Sequence, residues 1–93
     1  MRFKSYLHAF DFDEELISTL CQIGDEVERA EIKHPPLNSA HEAYSVILEE
    51  LDEFWDQVKK KDAERDIGNM RTEMIQTAAM CVRTIRDLAL EVA

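Results

Sequence analysis

The chain has 93 residues, of which 45% are hydrophobic and 33% charged, and its formal net charge at pH 7 is −9. This length predicts a single domain, and the apolar fraction excludes a disordered chain. The acidic balance argues against a nucleic-acid polymer or an anionic membrane surface as partner, because the sequence contains no basic stripe that would neutralise phosphates.

The N-terminal third predicts a short arm followed by one helix. Residues 1–12 are interpreted as an arm that packs on the body or on a partner subunit, and Asp11 and Asp13 are N-cap candidates. A first helix is predicted over about 13–33, and it ends because Pro35 disfavours helical backbone at His34. Apolar residues recur in it at steps of three and four, which predicts a stripe facing a core: Leu16, Leu20, Ile23, Val27 and Ala30.

A second helix is predicted over about 40–60. Ser39 and Glu42 form a capping-box pattern at its start, and the basic run 59–61 suits the negative end of its dipole. One continuous apolar face runs along this segment, and its aromatic members are interpreted as core packing. The face consists of Tyr44, Ile47, Leu48, Leu51, Phe54, Trp55 and Val58.

A third helix is predicted over about 69–90, with a wide apolar face and no strand pattern anywhere in the chain. The chain is therefore predicted to be all-α, a helical bundle of three main helices. Because the second and third helices carry broader apolar faces than the first can cover, the bundle is expected to complete itself by association, at least as a dimer.

Two cysteines, Cys21 and Cys81, lie far apart and lack the spacing of a zinc site. They are interpreted as reduced thiols in a core. The N-terminus is too short and too polar for a signal peptide, and no segment approaches the ~20 apolar residues of a membrane span. A cytoplasmic protein is therefore expected.

Four carboxylates fall within residues 49–53. Like charges one helical turn apart cost roughly 0.2–0.5 kcal/mol per pair, so such a cluster is either a solvated face or a site for a cation. On a helix, Glu53 stands one turn from both Glu49 and Glu50. These side chains can therefore reach a shared ion.

One helix cannot surround a metal ion, so a second helix has to supply ligands from the facing side. The third helix offers Glu73 and, one turn later, Gln76. Oxygen ligands without His or Cys favour Mg²⁺, or Mn²⁺, over zinc. Two helices that each present an acidic residue and a further oxygen donor predict a hard-cation site between them.

The pattern Glu50-x-x-Glu53, followed after nineteen residues by Glu73-x-x-Gln76, resembles the ExxE…ExxD signature of the MazG-like, all-α nucleoside triphosphate pyrophosphohydrolases. Glu49 is similar to the first member of the doubled glutamate that often opens this motif. The likeness covers roughly residues 27–88.

The resemblance implies Mg²⁺-dependent cleavage of a nucleotide between its α and β phosphates, giving a monophosphate and pyrophosphate, as in the house-cleaning of nucleotides. It implies Glu50, Glu53, Glu73 and Gln76 as metal ligands. Glu49 would be a further ligand or the catalytic group that orients the attacking water. The resemblance also implies a dimer or a tetramer with shared bundles.

Gln76 departs from the signature, which has Asp at this position. Its amide oxygen can ligate but brings no charge, so a lower Mg²⁺ affinity is expected. Candidate substrate-binding residues are Asn69, Lys59 and Arg83. The competing interpretation is a non-catalytic helical interaction protein that retains the scaffold with a degenerate metal site.

Overall fold

The computed structural model describes residue 9 and residues 11–90. Within them the chain forms three α-helices and no strand, which confirms the predicted all-α bundle. The predicted arm over 1–12 lies mostly outside the described residues. The elements in chain order are α1 (Glu14–Lys33), α2 (Ala40–Val58), a 3₁₀ turn (Asp62–Glu64) and α3 (Ile67–Asp87).

Each helix begins at a side chain that accepts a hydrogen bond from the backbone N–H three residues later. These N-caps are Asp13, Ser39 and Asp66, with donor–acceptor distances of 2.8, 3.1 and 3.0 Å. They satisfy N–H groups that a helix leaves unpaired in its first turn. The predicted capping box is half formed, because the Glu42 carboxylate accepts from the N–H of Asn38 rather than of Ser39.

The turn between α2 and α3 explains why α2 ends at Val58 and α3 begins earlier than predicted. The Arg65 guanidinium donates to the carbonyl of Val58, and the buried Gln57 side chain accepts from the N–H of Asp66 at 3.0 Å. These bonds close the last turn of α2 and place Asp66 as the cap of α3. At its other end α3 stops before Leu90, because Ala89 has a φ of 52°, outside the right-handed helical region.

The loop between α1 and α2 is fastened to the last turns of α3. Leu37 is buried, and its N–H donates to Asp87 Oδ2 at 2.9 Å. Arg83, only 3% exposed, donates to the carbonyl of Pro35 at 3.0 Å and lies 3.8 Å from Asp87. The two α3 side chains therefore fix the direction in which the chain enters α2.

The helix α3 lies in the middle and packs against both α1 and α2, whereas no Cα of α1 lies within 8 Å of a Cα of α2. A cleft is therefore left between the two outer helices. The core is small for three helices of this length. Its buried apolar residues, among those described, are Ile17, Val27, Ala30, Leu37, Ala43, Ala79 and Met80.

The structure corrects the predicted orientation of α2. The side of the helix that faces α3 carries Ala43 and Gln57, both buried, with Glu50 half-buried between them. Tyr44 and Trp55, interpreted from the sequence as core residues, are 67% and 55% exposed within one chain. The predicted apolar face is therefore divided: Ile47, Phe54 and Val58 are half-buried, whereas Tyr44, Leu48, Leu51 and Trp55 are exposed.

The cysteines are both free, Cys21 half-buried and Cys81 exposed. The prediction of a core thiol was therefore wrong for Cys81, which lies on the outer side of α3. None of the helices described here is long and apolar enough to cross a membrane.

Candidate metal centre

Three carboxylates converge where α2 packs against α3. Glu50 and Glu53, one turn apart on α2, and Glu73 on α3 each contribute an oxygen, and these oxygens all lie within 4.8 Å of one another. The three residues differ in burial: Glu73 is 7% exposed, Glu50 is half-buried and Glu53 is exposed. The group therefore runs from the helix–helix interface out to solvent, which gives a small ion an entry path.

Two oxygens of this cluster lack a hydrogen-bond donor. Glu50 Oε2 and Glu73 Oε2 are both buried and make no hydrogen bond to a donor group of the chain. A buried carboxylate oxygen without a donor is costly, because the water that solvated it in the unfolded chain has not been replaced. A shared proton or a bound cation would remove this cost.

The pKa values of two carboxyls in the cluster, Glu53 and Glu73, are raised, and this favours a shared proton. Burial raises the pKa of Glu73, and the adjoining Glu50 carboxyl raises it further as hydrogen-bond partner and like charge. The pKa of Glu53 is raised first by its hydrogen bond with Glu73 and then by the charge of Glu73. Carboxyls that share a proton at low metal concentration can exchange it for a divalent ion.

The other two residues of the predicted site, Glu49 and Gln76, are not among the three converging carboxylates. Glu49 is exposed, and it is rotated by about 100° around α2 from Glu50, which faces α3. Gln76 is half-buried one turn after Glu73, and it lines the α1 side of α3 together with Glu26 and Arg29. The structure thus brings together the three carboxylates among the four predicted metal ligands, Glu50, Glu53 and Glu73.

The three candidate substrate-binding residues lie in different surroundings. Lys59 is exposed and pairs with Asp56 at 3.1 Å, and Asn69 is half-buried in the first turn of α3, one turn before Glu73. Arg83 is buried; one of its guanidinium nitrogens donates to the carbonyl of Pro35 in the loop between α1 and α2 and another to Met80 Sδ, whereas its Nε has no hydrogen-bond partner. Its contacts give Arg83 a structural role.

The cleft between α1 and α2 has a volume of about 350 Å³ and reaches the acidic cluster at Glu50. This volume lies within the range of ordinary small-molecule sites. Both apolar and polar side chains line the cleft. The apolar lining residues are Ala30, Pro35, Leu37, Val46, Ala79 and Met80, and the polar ones are Glu26, Arg29, His34, Glu42, Glu50, Gln76 and Arg83.

The contribution of α1 to this cleft, through Glu26 and Arg29, was not predicted from the sequence. In the structure Glu26 is half-buried, and Arg29 Nε donates to its carboxylate at 2.9 Å. This pair raises the pKa of Arg29. In the sequence the pair is visible only as opposite charges three residues apart on one helix. Such pairs are common on solvated helices, so they do not indicate a cleft.

Comparisons with protein-family models, with curated proteins and with solved structures gave no match. The resemblance to the MazG-like pyrophosphohydrolases therefore stays a prediction. Support for a function has to come from the residues of the cluster and the cleft.

Proposed function

We propose that the chain is a Mg²⁺- or Mn²⁺-dependent nucleoside triphosphate pyrophosphohydrolase. The observation that carries the proposal is the convergence of Glu50, Glu53 and Glu73 from two helices, with oxygens within 4.8 Å of one another. A second feature of the same cluster supports it: Glu73 is more than nine-tenths buried, and its Oε2 has no donor.

The donor set suits a hard cation. Three carboxylates and no His or Cys favour Mg²⁺ or Mn²⁺ over softer metals. Because Mg²⁺ takes about six ligands, three carboxylates leave positions for water and phosphate oxygens. When bound, such an ion would neutralise charge on the triphosphate, polarise the α-phosphoryl group and make a water molecule more acidic.

Each residue has a proposed part in the reaction. Glu50, Glu53 and Glu73 hold the ion between α2 and α3. Glu49, exposed beside them, orients the water whose oxygen attacks the α-phosphorus, so that the bond to the bridging oxygen breaks and pyrophosphate leaves. The uncharged Gln76 lines the cleft, where its amide can donate to and accept from the organic part of the nucleotide.

The test is turnover of a panel of nucleoside triphosphates with Mg²⁺ or Mn²⁺, read as phosphate released by added inorganic pyrophosphatase. Activity should disappear in EDTA. Glu53→Gln should lower it by at least about 100-fold, because loss of even an outer-shell partner of a metal site costs about 10- to 100-fold. Glu28→Gln, the same chemical change at an exposed position of α1 outside the cleft, should leave it unchanged.

The second candidate, a non-catalytic helical interaction protein, is favoured by Gln76 standing where the signature has an acid. It predicts no turnover of any nucleotide in the panel. If no nucleotide is turned over, calorimetric titration with Mg²⁺ measures whether the chain still binds the ion. Mg²⁺ binding that Glu53→Gln abolishes, without turnover, would indicate a retained metal site on a non-catalytic scaffold. Neither binding nor turnover would reject the metal centre as well.

A further inference from the structure

Gln57 lies on the same side of α2 as the acidic cluster. It follows Glu53 by four residues and Glu50 by seven, so the three side chains form one column along the helix. Gln57 is 8% exposed, and its Oε1 accepts a hydrogen bond from the backbone N–H of Asp66 at 3.0 Å. Glutamine is mostly found at the surface, and a buried one is normally held by hydrogen bonds. Here the bond joins the end of α2 directly to the start of α3.

The Gln57–Asp66 hydrogen bond fixes where α3 starts relative to α2. Asp66 is the N-cap of α3, and its side chain accepts from the N–H of Asn69 at 3.0 Å. Glu73 follows Asp66 by seven residues, which is about two helical turns and about 10 Å along the axis. The position of Asp66 beside Gln57 therefore determines where the Glu73 carboxylate lies relative to Glu53.

The two ends of the α2–α3 pair are held in different ways. Beyond the cluster on the side of the α1–α2 loop, Leu37, Ala43 and Met80 form a buried apolar group. On the opposite side, among the residues that the structure describes, no buried apolar side chain of α2 follows Glu53 and none of α3 precedes Glu73. The buried contact at this end is the polar one between Gln57 and Asp66.

Charge makes this contact important for the cluster. When Glu50, Glu53 and Glu73 are ionised, their like charges push α2 and α3 apart, and the end of the pair with least apolar packing opposes this least. The Gln57 amide is uncharged, so it adds nothing to the repulsion. It does not titrate either, so its hydrogen bond to Asp66 persists whether the cluster holds protons or an ion.

We propose that Gln57 is a positioning residue of the metal centre. It holds the start of α3 where the Glu73 carboxylate meets those of Glu50 and Glu53, and so keeps the three ligands at the separation that one ion can bridge. Gln57 acts through Asp66 and the first turns of α3, and it does not itself bind the ion. The inference rests on the metal centre of the proposed function, and the experiments below separate the failure of one from the failure of the other.

The first test removes the acceptor. Gln57→Met keeps an unbranched side chain of similar length but leaves the N–H of Asp66 without a partner. In calorimetric titration with Mg²⁺ its dissociation constant should rise about tenfold, the size of effect seen when a group behind the ligands of a metal site is lost. The control is Ser39→Ala, which removes the N-cap at the other end of α2. It lowers stability too, but it should bind Mg²⁺ like the wild type.

The second test removes the donor and decides the question if Gln57→Met does not fold. Asp66→Ala and Asp66→Pro both lose the capping carboxylate, but only proline also lacks the N–H that Gln57 accepts. Arg65 has φ −72° and ψ 135°, a conformation that a following proline allows. Asp66→Pro should therefore bind Mg²⁺ about tenfold more weakly than Asp66→Ala.

Amide hydrogen exchange at Asp66 gives a further measurement on the wild type. If the position of α3 is coupled to the ion, Mg²⁺ should slow exchange of this N–H in the wild type, because coupling between two sites is reciprocal. A wild type that binds no Mg²⁺ rejects the metal centre and the role of Gln57 with it. A wild type that binds Mg²⁺, with Gln57→Met equal to Ser39→Ala and Asp66→Pro equal to Asp66→Ala, overturns the role of Gln57 alone.

Discussion

Glu53 on α2 and Glu73 on α3 hold carboxylate oxygens within 4.8 Å of one another, and with Glu50 they form one acidic cluster at the packed face of the two helices. Elsewhere on these helices small or apolar side chains pack together, as Ala43 and Met80 do in the buried core. An acidic pair at this place lowers the stability of the metal-free fold unless a proton or a cation lies between the oxygens.

The first prediction concerns the pH dependence of stability without metal. The pKa of Glu73 is raised above its usual value of 4.5 by burial and by Glu50, and that of Glu53 is raised by Glu73. Between pH 4.5 and the raised values the folded state therefore binds more protons than the unfolded state, so stability falls as pH rises through this window. Glu73→Gln should be more stable than the wild type at pH 7 and lose this advantage near pH 4.

Urea unfolding in EDTA between pH 4 and pH 8 measures this difference directly. The informative quantity is the free energy of unfolding of the variant minus that of the wild type at each pH, because the carboxylates that do not interact with Glu73 cancel in it. A difference that stays constant across the range would show that Glu73 does not titrate in the folded protein as its surroundings require.

The second prediction is that Mg²⁺ stabilises the wild-type fold. A ligand that binds only the folded state adds about 2.7 kcal/mol at a concentration of 100 times its dissociation constant. Glu53→Gln, which leaves one carboxylate fewer, should lose most of this gain. Thermal unfolding with and without Mg²⁺ checks it, and Glu28→Gln, outside the cluster, should respond like the wild type. Equal responses of the wild type and Glu53→Gln would reject the site.

The sequence predicted the helices well because their signals are local. The caps Asp13 and Ser39 and the break at Pro35 each act on neighbouring backbone, and all three operate as expected. The ends of α2 and α3 were less accurate, because Gln57 and Arg65 set them through contacts across the turn that periodicity does not reveal.

The orientation of α2 could not be predicted, for a physical reason. An apolar face shows that a helix buries that side against something, but it does not show whether the partner lies in the same chain. Tyr44 and Trp55 were therefore interpreted as core residues, and the structure places them outside. The meeting of Glu50, Glu53 and Glu73 was nevertheless anticipated, because hard-cation ligands on two helices have a chemical reason to face each other.

The third prediction concerns Gln76→Asp. A carboxylate at this position would lie one turn from Glu73 and beside the cleft that Glu50 also lines. At about 6 Å from a divalent ion in water-like surroundings, a negative charge contributes about 1.4 kcal/mol, equivalent to a tenfold change in affinity. Mg²⁺ affinity measured by calorimetric titration should therefore increase about tenfold, and Gln76→Glu should act in the same direction. An unchanged affinity in both variants would place the Gln76 side chain beyond reach of the ion.

The last prediction assigns Arg83 to the fold rather than to substrate. Its side chain is 3% exposed, donates to the Pro35 carbonyl at 3.0 Å and lies 3.8 Å from Asp87, whose carboxylate holds Leu37. Arg83→Leu leaves the carbonyl without its donor and a nearly buried carboxylate without its counter-charge. Removing one partner of a buried ion pair costs about 3–5 kcal/mol, so urea unfolding should show a loss approaching that size.

Arg86→Leu is the matched control. Arg86 makes the same kind of contact, a 3.1 Å ion pair with Glu31, but both side chains are substantially exposed. Exposed pairs of this kind contribute at most about 1 kcal/mol, so this variant should unfold close to the wild type. Two variants of equal stability would contradict the structural role of Arg83, because burial is the property that separates the two arginines. An Arg83→Leu chain that keeps its stability but loses nucleotide binding would return the residue to the substrate site.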